Sequence, residues 1–167
     1  MRITARLLAL CLLLMTVVFA QAQKKPLTHQ SYDEWQSVGQ KMISANGKYI
    51  AWVVNLQEGD GWLEIQSTDR RWKKLIPRGA MPSFTDDDRF LVCRIRPFFK
   101  DTREAKIKKK SPAEMPKDSL AICWLGQDSV RRIAQVKSYK IPEEGNSGWL
   151  AWLHEKQPAA LAAQPDS

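Results

Sequence analysis

The sequence predicts an all-β protein, an incomplete β-propeller of about two to three four-stranded blades that follows a signal peptide. Three observations support this prediction. A turn-and-strand pattern recurs 41 residues along the chain, the central strands are apolar on both faces, and the chain opens with a secretory signal. We expect a signal peptide at 1–22, a lead-in segment at 23–40, a partial propeller at 41–156 with a rim insertion at 97–118, and an unstructured tail at 157–167.

The first residues have the three-part layout of a secretory signal. Arg2 and Arg6 give a positive start, residues 7–20 are apolar, and Ala20–Ala22 reads Ala-Gln-Ala, a site that signal peptidase accepts. The apolar stretch is shorter than the roughly 20 residues that a membrane helix needs, which favours cleavage over an uncleaved anchor. We therefore expect a periplasmic or secreted protein without a stable membrane anchor.

The repeat is clearest at its turns. Asn46-Gly47 lies between two apolar runs and predicts a hairpin with a type I′ turn, because both residues tolerate a positive φ. Farther along, Asp87-Asp88 stands where Asn46-Gly47 stood and precedes the apolar run Phe90–Cys93. In a weaker third copy, turn residues at 144–148 precede Trp149–Trp152.

Outer strands complete each repeat. They are expected at Trp62–Gln66, Trp72–Ile76, Leu120–Leu125 and Val130–Val136. Each unit then holds about four strands in roughly 40 residues or more, which is the period of a propeller blade. Ahead of the first unit, we interpret the polar-aromatic segment Gln30–Gln40 as a short helix.

The side-chain pattern favours stacked sheets. Tyr49–Val54 and Phe90–Cys93 are apolar at both alternating sets of positions, so these strands must be covered on both faces. An ordinary β-sandwich with two buried central strands is the alternative. The repeat spacing favours the propeller over it.

No residues are placed for catalysis, cofactor binding or metal binding. An α/β-hydrolase needs a serine in G-x-S-x-G together with an acid and a histidine, and Gly145–Gly148 (Gly-Asn-Ser-Gly) lacks that spacing. His29 and His154 have no serine or cysteine placed to use them. Asp86–Asp88 lacks the alternating oxygen ligands and the glycine of a calcium loop, so we interpret it as a solvated turn.

The formal net charge is +8, and much of the excess lies in Lys106–Lys110. An exported protein rarely meets nucleic acid, so we expect no such partner. The basic run could hold anionic lipid or polysaccharide, but a solvated loop is the favoured interpretation.

Two further pairs need an interpretation. Glu143-Glu144 could bind the amino terminus of a peptide, but the pair lies on a strand connection directly after Pro142, and we assign it no such role. Cys93 and Cys123 lie in apolar runs. A disulfide between them is possible in an oxidising compartment, and free buried thiols are favoured.

Several segments resemble one protein family. Arg96–Lys110 with Met115–Leu120 is similar to an insertion in exported, dipeptidyl-peptidase-like serine peptidases of the prolyl oligopeptidase family from Bacteroidetes-type bacteria. Lys25–His29 and Asn55–Gly61 resemble the same proteins. The similarity covers nearly all of Lys24–Trp152.

This resemblance implies an N-terminal propeller that admits short peptides to a C-terminal α/β-hydrolase domain with a Ser-Asp-His triad. The hydrolase domain is missing from the printed sequence, so no catalytic residue can be assigned, and peptide substrates are expected only in the full-length context. Too few blades are present to close a ring. We therefore expect a gene fragment, a frameshifted product or an incomplete reading frame; a non-catalytic exported binding module and a decayed fragment are the alternatives.

Overall fold

A computed structural model describes residues 31–32, 35–142 and 149–156. All of them belong to the compact unit that spans Ser31–Ser167. Within the described residues the protein is mostly β, with three antiparallel sheets and one short helix. The predicted all-β class is therefore confirmed. The signal peptide, the tail and the turn of the third repeat lie outside the described residues.

The first sheet is a four-stranded meander. Its strands pair in the order in which they occur in the sequence: β1 (Gln36–Ile43), β2 (Tyr49–Leu56), β3 (Trp62–Ser67) and β4 (Lys73–Pro77). The outer strands agree closely with the predicted ones. The N-terminal boundary differs, because Ser31 and Tyr32 are helical but β1 already begins at Gln36. Part of the expected lead-in segment is therefore the first strand of the sheet.

The second sheet repeats this meander. It consists of β5 (Gly79–Phe84), β6 (Phe90–Ile95), β7 (Ser119–Trp124) and β8 (Val130–Ile133), again paired in sequence order. Helix α1 (Phe99–Ile107) lies between β6 and β7, within the segment predicted as an insertion. The sequence pattern did not predict that this insertion is helical.

A two-stranded hairpin completes the described fold. Strand β9 (Val136–Lys140) pairs with β10 (Ala151–His154). The Arg94 guanidinium on β6 reaches this hairpin, donating to the Asp118 carboxylate at 3.2 Å and to the Lys137 carbonyl at 3.3 Å. The hairpin is thereby held against the second sheet.

The predicted type I′ turn is wrong, and the reason is loop length. Ser44 and Tyr49 are hydrogen-bonded across the turn, which leaves residues 45–48 in the loop where a type I′ hairpin has two. A hydrogen bond from Gly47 N–H to the Ser44 carbonyl closes the first part of this loop. Of the two predicted turn residues only Gly47 has a positive φ, at 69°.

The same turn occurs three times among the described residues. In each copy a serine or threonine pairs with an aromatic residue five positions later, and its hydroxyl accepts that residue's N–H: Ser44–Tyr49, Ser67–Trp72 and Thr85–Phe90. The residue that follows the asparagine or aspartate has positive φ: Gly47, Arg70 and Asp88. The predicted equivalence of Asn46-Gly47 and Asp87-Asp88 is therefore confirmed.

The main core lies between the two four-stranded sheets. Alternate residues of β2 and β3 meet alternate residues of β6 and β7: Ala51, Val53, Leu63 and Ile65 on the first sheet, Leu91, Cys93, Ile95, Ala121 and Cys123 on the second. A smaller cluster of Val92, Leu120 and Val136 lies on the opposite face of the second sheet. Strand β6 is thus buried on both faces, as its sequence predicted.

Candidate functional site

The predicted chemical residues do not assemble into one site. His154 lies exposed on β10, and its Nε2 accepts a hydrogen bond from Trp152 Nε1 at 3.1 Å. The two exposed rings meet edge to face, and the contact supplies neither an acid nor a nucleophile. His29, the Glu143-Glu144 pair and Ser147 lie outside the described residues.

Two of the three aspartates of the second hairpin have structural roles. Asp87 accepts the Thr85 hydroxyl at 2.6 Å, a hydrogen bond that lowers the pKa of the Asp87 carboxyl below its usual value. The Asp88 carboxylate reaches the first hairpin, where it accepts the N–H groups of Ala45 at 3.0 Å and Asn46 at 2.6 Å. Asp86 is exposed. Among the described residues no cluster of three potential metal ligands occurs.

The two cysteines are free thiols in the core. Burial raises the pKa of Cys93 to about 12 and that of Cys123 to about 11. A cysteine attacks an electrophile as its thiolate, so neither side chain is set up as a nucleophile near neutral pH. Of the two interpretations that the sequence left open, the free thiols are the observed one.

The basic run belongs to a structured insertion, which contradicts the favoured interpretation as a solvated loop. Lys106 and Ile107 form the end of α1, and Lys108–Lys110 continue around its C-terminus. The N–H of Lys110 bonds the Ala105 carbonyl, and the N–H of Lys109 bonds the Lys106 carbonyl at 3.0 Å in both cases. With Lys109 at φ 50°, these are the two hydrogen bonds of a Schellman cap.

Three contacts fix the insertion to the first sheet. Asp60, in the β2–β3 turn, accepts the Phe99 N–H at 2.8 Å at the start of α1. One turn along the helix, Arg103 forms an ion pair with Glu58 at 3.1 Å. The Arg78 guanidinium lies 3.6 Å from the centre of the Phe98 ring, a cation–π contact.

Arg78 connects both sheets with the insertion. Its N–H donates to the Gly61 carbonyl of the first sheet at 2.8 Å, and its carbonyl accepts the Arg96 N–H of the second at 3.0 Å. Its Nη1 also donates to the Arg96 carbonyl at 3.1 Å. The φ of Arg78 is 60°, a left-handed conformation that is uncommon outside glycine. The sequence contains no motif that marks this junction.

A pocket of about 230 Å³ lies beside this junction, lined by the β2–β3 turn, Arg78, Arg96 and the start of α1. Two of its charged groups are already engaged, since Asp60 caps the helix and Arg78 bonds a carbonyl and covers Phe98. The pocket is therefore best explained as the junction of the insertion with the sheets. The outward side of α1, by contrast, presents cations to solvent.

Comparison with protein-family models, with curated proteins and with solved structures finds no match. Among the described residues no helix is both long enough and apolar enough to span a membrane.

Proposed function

We propose that this chain forms the first blades of a β-propeller in an exported serine peptidase of the prolyl oligopeptidase type. In this proposal the blades act as a lid that admits short peptides, and catalysis is supplied by an α/β-hydrolase domain outside residues 1–167. The chain itself contributes no catalytic residue.

One observation carries the propeller part of the proposal. Two four-stranded meanders pack face to face, and the chain passes from the outer strand β4 of the first directly into β5, the first strand of the second. Strand β5 in turn lies next to β1, β2 and β3 of the first sheet. Passage from the last strand of one sheet to the first strand of the next is how successive propeller blades are connected.

Links at both ends of the sheets support a fixed stacking. At the hairpin tips, Asp88 of the second sheet accepts two N–H groups of the first. Toward the outer strands, Lys74 of β4 forms an ion pair with Asp128 in the β7–β8 turn. Two meanders held in this way are arranged as neighbouring blades would be.

The peptidase part rests on the resemblance of the insertion, Arg96–Lys110 with Met115–Leu120. It is tested by raising an antibody against strands β1–β9 and treating extracts of the source cells with a fluorophosphonate, which labels activated serines covalently. We expect the antibody to capture a labelled polypeptide longer than 167 residues. The purified 167-residue chain, which serves as the control, should stay unlabelled. Capture of native antigen that carries no label would contradict the peptidase assignment.

A non-catalytic binding module is the second candidate, and one observation favours it. The outer face of the first sheet exposes apolar side chains, with Val38 at 64% and Ile43 at 62% of their full surface. Copies of the chain could bury this face by self-association. Sedimentation of the purified chain tests this: a discrete oligomer that Ile43→Lys dissociates and Ile107→Lys leaves intact supports the module, and a monomer contradicts it.

A further inference from the structure

We propose that the outward side of helix α1 binds a membrane surface that carries anionic phospholipid. We call this side the basic face and define it as Lys100, Lys106 and Ile107. Membrane binding by this face is independent of the peptidase proposal.

Helix geometry sets the direction of the basic face. Ala105 is the buried residue of α1, at 4% exposure, and marks the side that packs on the protein. At about 100° per residue, Ile107 lies nearly opposite Ala105, Lys100 lies beside it, and Lys106 lies on the flank of the helix. The three residues of the face are exposed, and Ile107 keeps 72% of its full surface.

The charge of the insertion is concentrated and only partly neutralised. Residues 96–110 carry seven basic and two acidic side chains, a net charge of +5 in a chain whose formal net charge is +8. Glu104 is paired with Lys108 at 2.5 Å and Glu58 with Arg103 at 3.1 Å. Across the described part of the chain, no ion pair holds Lys100 or Lys106. These two lysines are available to an anionic surface.

Ile107 distinguishes lipid from other polyanions. Transfer of an exposed isoleucine from water into the apolar boundary of a bilayer is favourable, and the cations around it can stay at the lipid headgroups. A hydrated acidic polysaccharide offers the lysines the same charge but offers Ile107 no apolar phase. Cations around apolar side chains are typical of helices that lie in the plane of a membrane.

The face is also held in place before any ligand arrives. Asp60 and Arg78 fix the start of the insertion, and the Schellman cap fixes the end of α1. A preordered helix loses little conformational freedom on binding, and this favours association. The structure therefore presents a ready surface, in contrast to the solvated loop that the sequence analysis favoured.

Cosedimentation with lipid vesicles tests the proposal, using the purified full chain. The vesicles contain either phosphatidylcholine alone or equal parts of phosphatidylcholine and phosphatidylglycerol. We expect binding to the anionic vesicles that weakens as salt is added, because surface charges are screened. Lys100→Gln with Lys106→Gln should reduce the affinity roughly 25-fold, at about fivefold per lysine near a charged membrane.

Two further variants separate the apolar contribution from the charge. Ile107→Gln should weaken binding roughly tenfold, and Ile107→Leu should bind like the parent chain, because leucine keeps the apolar surface. The matched control is Lys137→Gln with Lys140→Gln, which removes the same charge from exposed positions on β9. Residues 7–20 are present in every variant, so their contribution cancels in the comparison.

Each alternative outcome overturns the proposal. Equal weakening by the Lys137/Lys140 control would assign the binding to net charge alone. Equal binding to both kinds of vesicle would assign it to an apolar surface elsewhere. Retention on dextran sulfate that Ile107→Gln leaves unchanged, without binding to anionic vesicles, would identify a polysaccharide site. A urea midpoint for each variant shows that the fold is intact, as expected for exposed side chains.

Discussion

The two four-stranded sheets share one plan but differ in what covers them. The difference is seen in the exposure of residues that occupy equivalent positions in the two repeats. Leu91 and Cys93 of β6 point toward the first sheet and have no exposed surface, whereas Ile50 and Trp52, their counterparts on β2, are partly exposed. Both sheets use apolar residues at these positions, but among the residues that the structure describes only the second sheet has a neighbour on that side.

This difference explains why strands with similar sequences have different surroundings. A strand that is apolar on both sides needs two neighbouring layers. The second sheet has them, because the first sheet covers one face and the β9–β10 hairpin covers the other. The first sheet is covered on one face alone within the described residues, and Val38 and Ile43 remain exposed.

The largest predicted effect comes from removing the same kind of side chain from both sheets. Leu91→Ala should lower the free energy of unfolding by about 2–5 kcal/mol, because it leaves a cavity in a closed core. Ile50→Ala should cost roughly 1 kcal/mol, since its side chain already meets solvent. Urea unfolding of the two purified variants measures the difference. Equal losses would show that the outer face of the first sheet is covered in solution.

A second prediction concerns the link between the two hairpin tips. Asp88→Ala removes the carboxylate that accepts Ala45 N–H and Asn46 N–H, and it places alanine at φ 51°. We expect a loss of about 1–3 kcal/mol from the two hydrogen bonds and the left-handed backbone. Asp86→Ala, which removes the same charge from an exposed neighbour, should change the urea midpoint very little. A comparable loss in the Asp86 variant would attribute the effect to net charge.

Much of the sheet structure was predictable because turns and apolar alternation are local properties. The predicted strands Trp62–Gln66 and Trp72–Ile76 have bounds within one residue of those of β3 and β4. Strand β5 was largely missed, since it contains Gly79, Pro82 and a bulge, none of which is typical of a strand. The bulge lies between Ala80 and Ser83 and interrupts the alternation on which the prediction depended.

The candidate surface was less predictable, because it depends on contacts between distant residues. Lys106–Lys110 was recognised as basic, but prolines at 97, 112 and 116 concealed the helix between them. Its anchors, Asp60 and Arg78, lie far away in the sequence, and an arginine at positive φ has no sequence signal. The functional assignment to a peptidase stays a prediction, since it rests on resemblance alone.

The three similar turns differ in charge, which predicts a dependence on pH. Hydrogen bonds from Ser67 and Thr85 lower the pKa of the Asp69 and Asp87 carboxyls below the ordinary value of 3.8. A lowered pKa stabilises the folded state above about pH 4, and this contribution is lost as the pH falls through the folded pKa. The first turn has neutral Asn46 at the same place and should not contribute.

Substitution of both aspartates tests this assignment. Asp69→Asn with Asp87→Asn should flatten the decrease of the thermal midpoint below about pH 4 and lower the midpoint slightly near neutral pH, where the two ionised carboxylates contribute. Asp86→Asn is the control, because that carboxyl is exposed within the third turn, next to Asp87. An unchanged acid slope in the double variant would place the titrating groups elsewhere.

The smallest predicted effect concerns the bulges in β1 and β5, which are the first strands of the two sheets. The register of β1 shifts between Val38 and Lys41, where Gly39 lies, and a side chain there would meet the Asn55 amide at 2.6 Å. The corresponding bulge of β5 contains Met81 at φ 50°, a conformation that suits glycine better. Met81 is more than half exposed, so Met81→Gly removes little buried surface. We expect it to raise the free energy of unfolding by up to about 1 kcal/mol, because relief of the left-handed strain outweighs the added freedom of the unfolded chain. Gly39→Ala should have the opposite sign, and a loss of stability in both variants would show that the β5 bulge depends on the Met81 side chain.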